Sequence, residues 1–262
     1  MKITFLGTCA GSVPLSDRHH ASFVVQAAGH TYWFDAGEGC SRTAYLAKVD
    51  LLSTAAIFIT HMAMDHVGGL APLLWALRKL NKQTPPHPLS GTDLQIMIPH
   101  VAAWYAIIEL VEATSQFNFA SDFLLRIVQY HDGVAYDDGS VRVLACHNSH
   151  QGKPYKDRDW RSYGFRIESG GRSLVYSGDV GIFEEMTPLF REPCDLALVD
   201  ASHGPLEAIC DYFRQGNFRV GRLGLFHLGS EILSAPEAAV ALVQDRLGVD
   251  VLIPAEGQTI EV

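Results

Sequence analysis

The five cysteines, Cys9, Cys40, Cys146, Cys194 and Cys210, include no Cys-x-x-Cys pair, and so odd and scattered a set excludes a disulfide framework and a structural zinc knuckle. They read as reduced thiols of a cytoplasmic protein. Positive charge is also short: 20 Lys and Arg stand against 29 Asp and Glu, for a net charge of −9. No global field therefore attracts a polyanion, and nucleic acid has to be held by a local basic patch or a bound cation. No apolar run comes near the roughly eighteen residues of a membrane span, and residues 1–7 form too short a segment for a signal sequence. The expectation is a soluble chain with no membrane partner. Linkers, repeats and low-complexity blocks are missing as well. With 48% of its 262 residues hydrophobic and 19% charged, the chain can bury a sizeable core.

What the sequence does have is histidine, 12 in all. Their placement follows an alternation of short β-branched or aromatic runs with helical patterns. The first half predicts strands at 2–7, 22–26, 31–35, 55–60 and 94–99. Helices are predicted at 39–49, 65–82 and 101–113, the second of them stopped by the proline-rich stretch 84–90. The second half predicts strands at 124–130, 141–146, 163–167, 173–177, 195–200, 223–226 and 251–254, with a helix near 237–243. Two similar halves, each of strands followed by helices, imply two sheets face to face with helices outside, a four-layer αββα sandwich of the α/β class.

Residues 60–69 read Thr-His-Met-Ala-Met-Asp-His-Val-Gly-Gly, where a buried strand gives way to a helix. A strand end, a tight turn and a helix start let His61, Asp65 and His66 project into one cleft, and imidazole with carboxylate is a ligand set for a first-row metal. Further ionisable residues end later apolar runs: His147 and His150, Asp179, His203 and His227. A lone histidine at a strand end is commonly a capping or solvent-facing residue, and Asp after Ser-Gly is an ordinary turn. The ordered recurrence of such residues at successive strand ends points instead to one metal site. His19, His20, His30, His87, His100 and His131 lack that placement and read as surface or structural.

These residues resemble the metallo-β-lactamase superfamily, whose central motif is His-x-His-x-Asp-His followed by later His, Asp and His ligands. The resemblance spans essentially the whole chain, so 1–262 is expected to be a single metallo-hydrolase domain. Within the superfamily the chain looks most like the ribonuclease Z branch, through residues 5–8 (Phe-Leu-Gly-Thr), Pro14, Arg18 and residues 34–39 (Phe-Asp-Ala-Gly-Glu-Gly). The family pattern implies one complete site of Asp65, His66 and His227 with Asp179 as a bridging carboxylate. It implies a second site of His61, His150 and the second motif histidine, whose position is occupied by Ala63. A methyl group donates nothing to a metal, so the second site should be weakened unless water or His147 fills in. A one-metal lineage, a catalytically silent chain and a deliberate inactivating change all fit Ala63. His150 is preferred to His147 because residues 148–150 and 162–166 look like the family's ligand and the strand after it.

The resemblance implies a hydrolase in which zinc, one or two ions, or alternatively manganese, activates water; Asp65 ligates the metal and orients the hydroxide. His203, in the Asp-Ala-Ser-His block that matches the family's Glu-Ala-Thr-Phe block, is the candidate for protonating the leaving group. The family's His-x-Thr block and its transfer-RNA-gripping arm have no counterpart. Phosphodiester cleavage, on a small molecule or RNA, is the expected chemistry. Its support is the local positive excess of Lys153, Lys156, Arg158, Arg161, Arg166 and Arg172. The alternatives are hydrolysis of a small ester, lactone or thioester, or a non-catalytic metal-binding relative. The resembled branch is often dimeric, which implies a homodimer.

Overall fold

Strict alternation of side chains along the strands builds the layers. The computed structural model describes residues 1–11, 15, 17–115, 120–154 and 159–262; Pro14, Lys156 and Arg158 lie outside the described residues. The chain begins with β1 (Lys2–Gly7), β2 (Ser22–Ala27), β3 (His30–Phe34), α1 (Cys40–Leu46), β4 (Thr54–Phe58), α2 (Met64–Val67) and α3 (Leu70–Gln83). It continues with β5 (Asp93–Ile98), α4 (Val101–Thr114), β6 (Leu124–Gln129), β7 (Gly133–Asp137), β8 (Arg142–His147), β9 (Tyr163–Ser169) and β10 (Arg172–Tyr176). Then follow β11 (Cys194–Asp200), α5 (Leu206–Gly216), β12 (Val220–Phe226), α6 (Ser230–Ser234), α7 (Pro236–Leu247), β13 (Asp250–Leu252) and β14 (Thr259–Glu261). Among the described residues the strands form two seven-stranded sheets, ordered β14-β1-β2-β3-β4-β5-β6 and β13-β12-β11-β10-β9-β8-β7.

On β3 the pleat sends Tyr32 and Phe34 into the layer between the sheets and Trp33 into the layer beneath the helices. Phe23, Phe34 and Phe58, register partners on β2, β3 and β4, stack at 5.2 and 4.9 Å. Phe165 of the other sheet meets Phe34 and Phe58 at 6.0 Å each. Outside the first sheet, α3 buries Leu70, Leu73, Leu74 and Leu77 at the i, i+3, i+4, i+7 spacing of one helical face. Outside the second, α5 and α7 bury Ile209, Phe213 and Val243. The result is the expected four-layer αββα sandwich.

Two local features differ from the sequence expectation. The helix expected over 65–82 is divided into α2 and α3 at Gly68 and Gly69. The Gly69 amide donates to the Ala36 carbonyl at 2.7 Å, and a Cβ there would sit 2.2 Å from the Gly37 carbonyl oxygen. This close approach detaches the turn that carries Asp65 and His66 from the long helix. The short edge strands β7 and β14 and the helix α5 were not anticipated. Gly133 and Asp137 make β7 look like a turn, but α5 carries a readable face in Ile209, Tyr212 and Phe213.

Strands β3 to β6 are mutually parallel, as are β10 to β13. Because β8 and β10 are both antiparallel to β9, they also run the same way. Backbone and side-chain bonds tie the two sheets together at their carboxyl edge: the Tyr163 amide donates to the Thr60 carbonyl at 3.2 Å, and the Tyr176 hydroxyl to Asp35 Oδ2 at 2.7 Å. Since the aromatic layer holds the sheets at this spacing, Phe34→Ala should cost about 3–5 kcal/mol. Urea unfolding should show the midpoint falling at constant m; a loss under about 1 kcal/mol would mean that the layer repacks around the cavity.

Candidate metal centre

The carboxyl edge of parallel strands is where successive side chains can converge, since each chain leaves the sheet there and turns. Asp35 follows β3, His61 follows β4, and Asp65 and His66 lie on α2. His150 follows β8, Asp179 follows β10, His203 follows β11 and His227 follows β12. The structure brings all of the sequence-predicted site residues to this edge. Three overlapping groups have donor atoms within 4.8 Å of one another: Asp65, His66, Asp179 and His227; His61, His150 and Asp179; and Asp179, Asp200, His203 and His227.

Asp179 stands in all of them. Its Oδ1 lies 3.1 Å from His66 Nε2 and 3.4 Å from His227 Nδ1, while Oδ2 lies 3.7 Å from His61 Nε2 and 3.6 Å from His150 Nε2. Burial raises the carboxyl, but the neighbouring His66 and His227 outweigh it and hold it down at about 2. Burial and the neighbouring His66 push His61 well below its ordinary value, so it is neutral, the form that ligates metals. For His66 burial acts in the same direction, yet Asp179 and Asp35 overcome it and hold the ring well above its ordinary value. The Nε2 atoms of His61 and His66 and the Oδ1 of Asp179 are buried with no hydrogen-bond partner. Nitrogen and carboxylate oxygen orphaned side by side fit a cation between them.

Asp35 and Asp200, which sequence reasoning did not assign to the site, set the ring orientations. Asp35 is fully buried and accepts from His66 Nδ1 (2.7 Å), Tyr176 OH (2.7 Å) and the Thr60 amide (2.7 Å), which leaves His66 Nε2 aimed at the centre. Asp200 Oδ2 accepts from His203 Nδ1 at 2.8 Å, and Oδ1 accepts from Ser202 Oγ at 3.0 Å. Ser202 Oγ is in turn 2.8 Å from His227 Nδ1. Both carboxylates end apolar strands as the predicted residues do, and that recurrence was the available signal. Asp35 and His227 have φ of 57° and 52°, left-handed backbone that costs a non-glycine residue about 1 kcal/mol or more and here turns the side chains inward.

His147 is placed elsewhere: its Nδ1 is 2.6 Å from Asp132 Oδ2 and its ring stacks on Trp160 at 4.0 Å. The positive excess of 153–172 is also partly engaged elsewhere. Arg166 is buried and donates to the carbonyls of Leu189, Glu192 and Pro193, and Arg172 pairs with Asp195 at 2.8 Å. Lys153 and Arg161 are exposed. A cavity of about 500 Å³ opens on the site, lined by Ala63, Asp65, His150, Asp179, His203 and His227 among others. Gly11 lines it too, and a Cβ there would sit 2.5 Å from Asp65 Oδ2.

A family model described as the beta-lactamase superfamily domain matches residues 30–254. Ribonuclease Z of Methanothermobacter thermautotrophicus is 29% identical over 151 residues, 57% of this chain and 45% of that protein. Against this and a similar relative the chain spans less than half of the relative's own length. Ribonuclease Z of Picrophilus torridus is 27% identical over 279 residues, covering 87% of this chain and 86% of that protein. Among solved structures, human tRNase Z, short form, superposes with TM-score 0.72 at 19% identity over 100% of this chain and 99% of its own. The metallo-beta-lactamase fold protein YhfI from Bacillus subtilis gives TM-score 0.72 at 18% identity over 99% of each chain.

The Asp200 hydrogen bond, opposed by burial, keeps His203 above the ordinary histidine range. In chelator-treated protein, Asp200→Asn removes the charge and turns one of the two acceptor oxygens into an amide donor, so the His203 ring should titrate at lower pH. Ring-proton NMR, with His203→Gln for assignment, measures this; an unmoved titration would mean that the pair does not hold the proton.

Proposed function

Because the chain belongs to the metallo-β-lactamase superfamily and is ribonuclease Z-like, we propose that it is a metal-dependent hydrolase of phosphodiesters, acting on RNA or a smaller phosphodiester. The observation that carries this reading is Asp179, whose two oxygens face two separate imidazole groups with orphaned buried nitrogens. Asp65, His66, Asp179 and His227 would hold one ion, and His61, His150 and Asp179 a second, more weakly, because Ala63 offers no donor. Mixed imidazole and carboxylate suit zinc, with manganese as the alternative. Such an ion supplies a more acidic water and a Lewis acid for the scissile phosphoryl oxygen.

The chain's own residues do the rest. Burial opposes ionisation of Asp65, but its bond to His227 Nε2 at 3.2 Å and the nearby His66 keep it well below the usual carboxylate range. It therefore stays an acceptor that can orient the attacking water at the cavity wall. His203, protonated through Asp200 and facing the same cavity, delivers a proton to the leaving oxygen. Arg161, two residues before the Tyr163 amide that bonds Thr60, and Lys153 supply the positive charge that a phosphodiester needs. The five cysteines are all free and buried, in keeping with a cytoplasmic chain, and no helix among the described residues is long and apolar enough to cross a membrane. The whole chain would act as one metallo-hydrolase unit. Exposed Tyr45, Leu46 and Trp75 on α1 and α3 are apolar surface that a homodimer would cover.

Ala63 favours a second reading, a non-catalytic metal-binding relative; hydrolysis of a small ester, lactone or thioester is the third. Phosphodiester and lactone assays, each with and without added zinc and manganese, separate them: only the first reading predicts metal-dependent phosphodiester turnover. His227→Ala should strip the more tightly held metal, and full retention of metal would remove His227 from the site. His203→Ala should lower kcat on an alkyl-leaving phosphodiester by about 10²–10⁴ and much less on a nitrophenyl one, whose leaving group needs no proton. Equal losses on both would make His203 structural. Arg161→Ala should raise KM for a phosphodiester and leave a neutral ester unaffected.

A further inference from the structure

Resting on that reading, we infer that the His61–His150–Asp179 site is completed by the substrate itself: an oxygen of the phosphate group enters where Ala63 leaves the coordination open, and the second ion binds only together with it. The first ion has four chain donors, whereas the second group offers three, one of them shared. Among the described residues no further His, Cys, Asp or Glu joins it. His147 is turned elsewhere, bonded to Asp132 and stacked on Trp160. Ala63 caps α2 in extended conformation (φ −69°, ψ 148°) and lines the cavity beside His150 and Asp179. The missing donor position therefore opens onto the substrate cavity and not onto packed protein.

Charge argues the same way. Asp65 and Asp179 are the carboxylates of the four-donor group, and together they balance one dication. Asp35 is engaged with His66 Nδ1, and Asp200 with His203 Nδ1 and, at 3.3 Å, His227 Nδ1, whereas the carboxylate beside His61 and His150 is Asp179. A second dication at buried His61 would have beside it only the Asp179 carboxylate that the first ion already shares, where solvent cannot screen the excess. A phosphate oxyanion removes that excess and adds the absent ligand in one event. Because coupling is reciprocal, the second ion must tighten phosphate by the factor by which phosphate tightens the ion.

The test is equilibrium dialysis of the full chain against buffered zinc at a free concentration that loads one ion, with and without inorganic phosphate, counting zinc per chain. The expected result is about one ion without phosphate and about two with it, a tightening of the second ion of about tenfold or more. Ala63→His should hold about two ions without phosphate. As a variant that adds no bulk, His150→Ala should hold about one in both conditions. About one ion in the unaltered chain with phosphate present, or about two without it, overturns this inference and leaves the metal-hydrolase reading standing. A second ion gained by His150→Ala with phosphate overturns it as well. No bound zinc in either condition overturns the metal reading itself.

Discussion

A carboxylate buried among imidazoles is the constraint from which the rest of the site follows. Asp179 is 2% exposed, and an isolated charge at that depth would cost several kcal/mol. It stays ionised because His66 and His227 lie against it and outweigh the burial that opposes its charge. The arrangement stores attraction for positive charge at one point, and neither His61 nor His66 completes a hydrogen bond with its Nε2. Few protein cores leave such atoms unpaired, so their coincidence carries more weight than any one residue type would.

That point exists only because two sheets present their carboxyl edges together. The parallel runs β3 to β6 and β10 to β13 both end there, and the aromatic layer of Phe23, Phe34, Phe58 and Phe165 holds the sheets face to face. Asp35, after β3 of the first sheet, joins the two halves chemically, bonding His66 on α2 and Tyr176 on β10 of the second sheet.

The two halves of the centre are not equivalent. One has two carboxylates and two imidazoles drawn from three separate elements; the other shares its only carboxylate and opens at Ala63 onto the cavity. The acidic net charge of −9 and the engagement of Arg166 and Arg172 leave few cations to attract a polyanion. Among the cavity-lining residues, His203 has its ring held above its ordinary range by Asp200, a carboxylate outside the four-donor group.

How much of this the sequence carries depends on the range of the interaction. The αββα layering was legible from its apolar runs, and His61, Asp179 and His227 as candidate ligands because each follows such a run, with Asp65 and His66 as candidates at the helix start after His61; these are local signals. Ala63 is likewise plain in the sequence, since a missing imidazole needs no coordinates to be seen. The preference for His150 over His147 comes from the resemblance at 148–150 and 162–166; where His147 goes was not legible, because its partners Asp132 and Trp160 are brought to it by the pairing of β8 with β7 and β9. Asp35 was visible as a residue but silent as a partner, because its bonds to Thr60, His66 and Tyr176 cross 25, 31 and 141 positions of chain. The same holds for Arg166, which looks like surface charge in the sequence and becomes a buried clasp for three carbonyls once the segment Phe183–Phe190 and the turn after it pack over β9. Residue type and spacing determined which groups could hold a metal. Tertiary structure decided which of them meet and which cations are left free, because both depend on contacts between segments far apart in the chain.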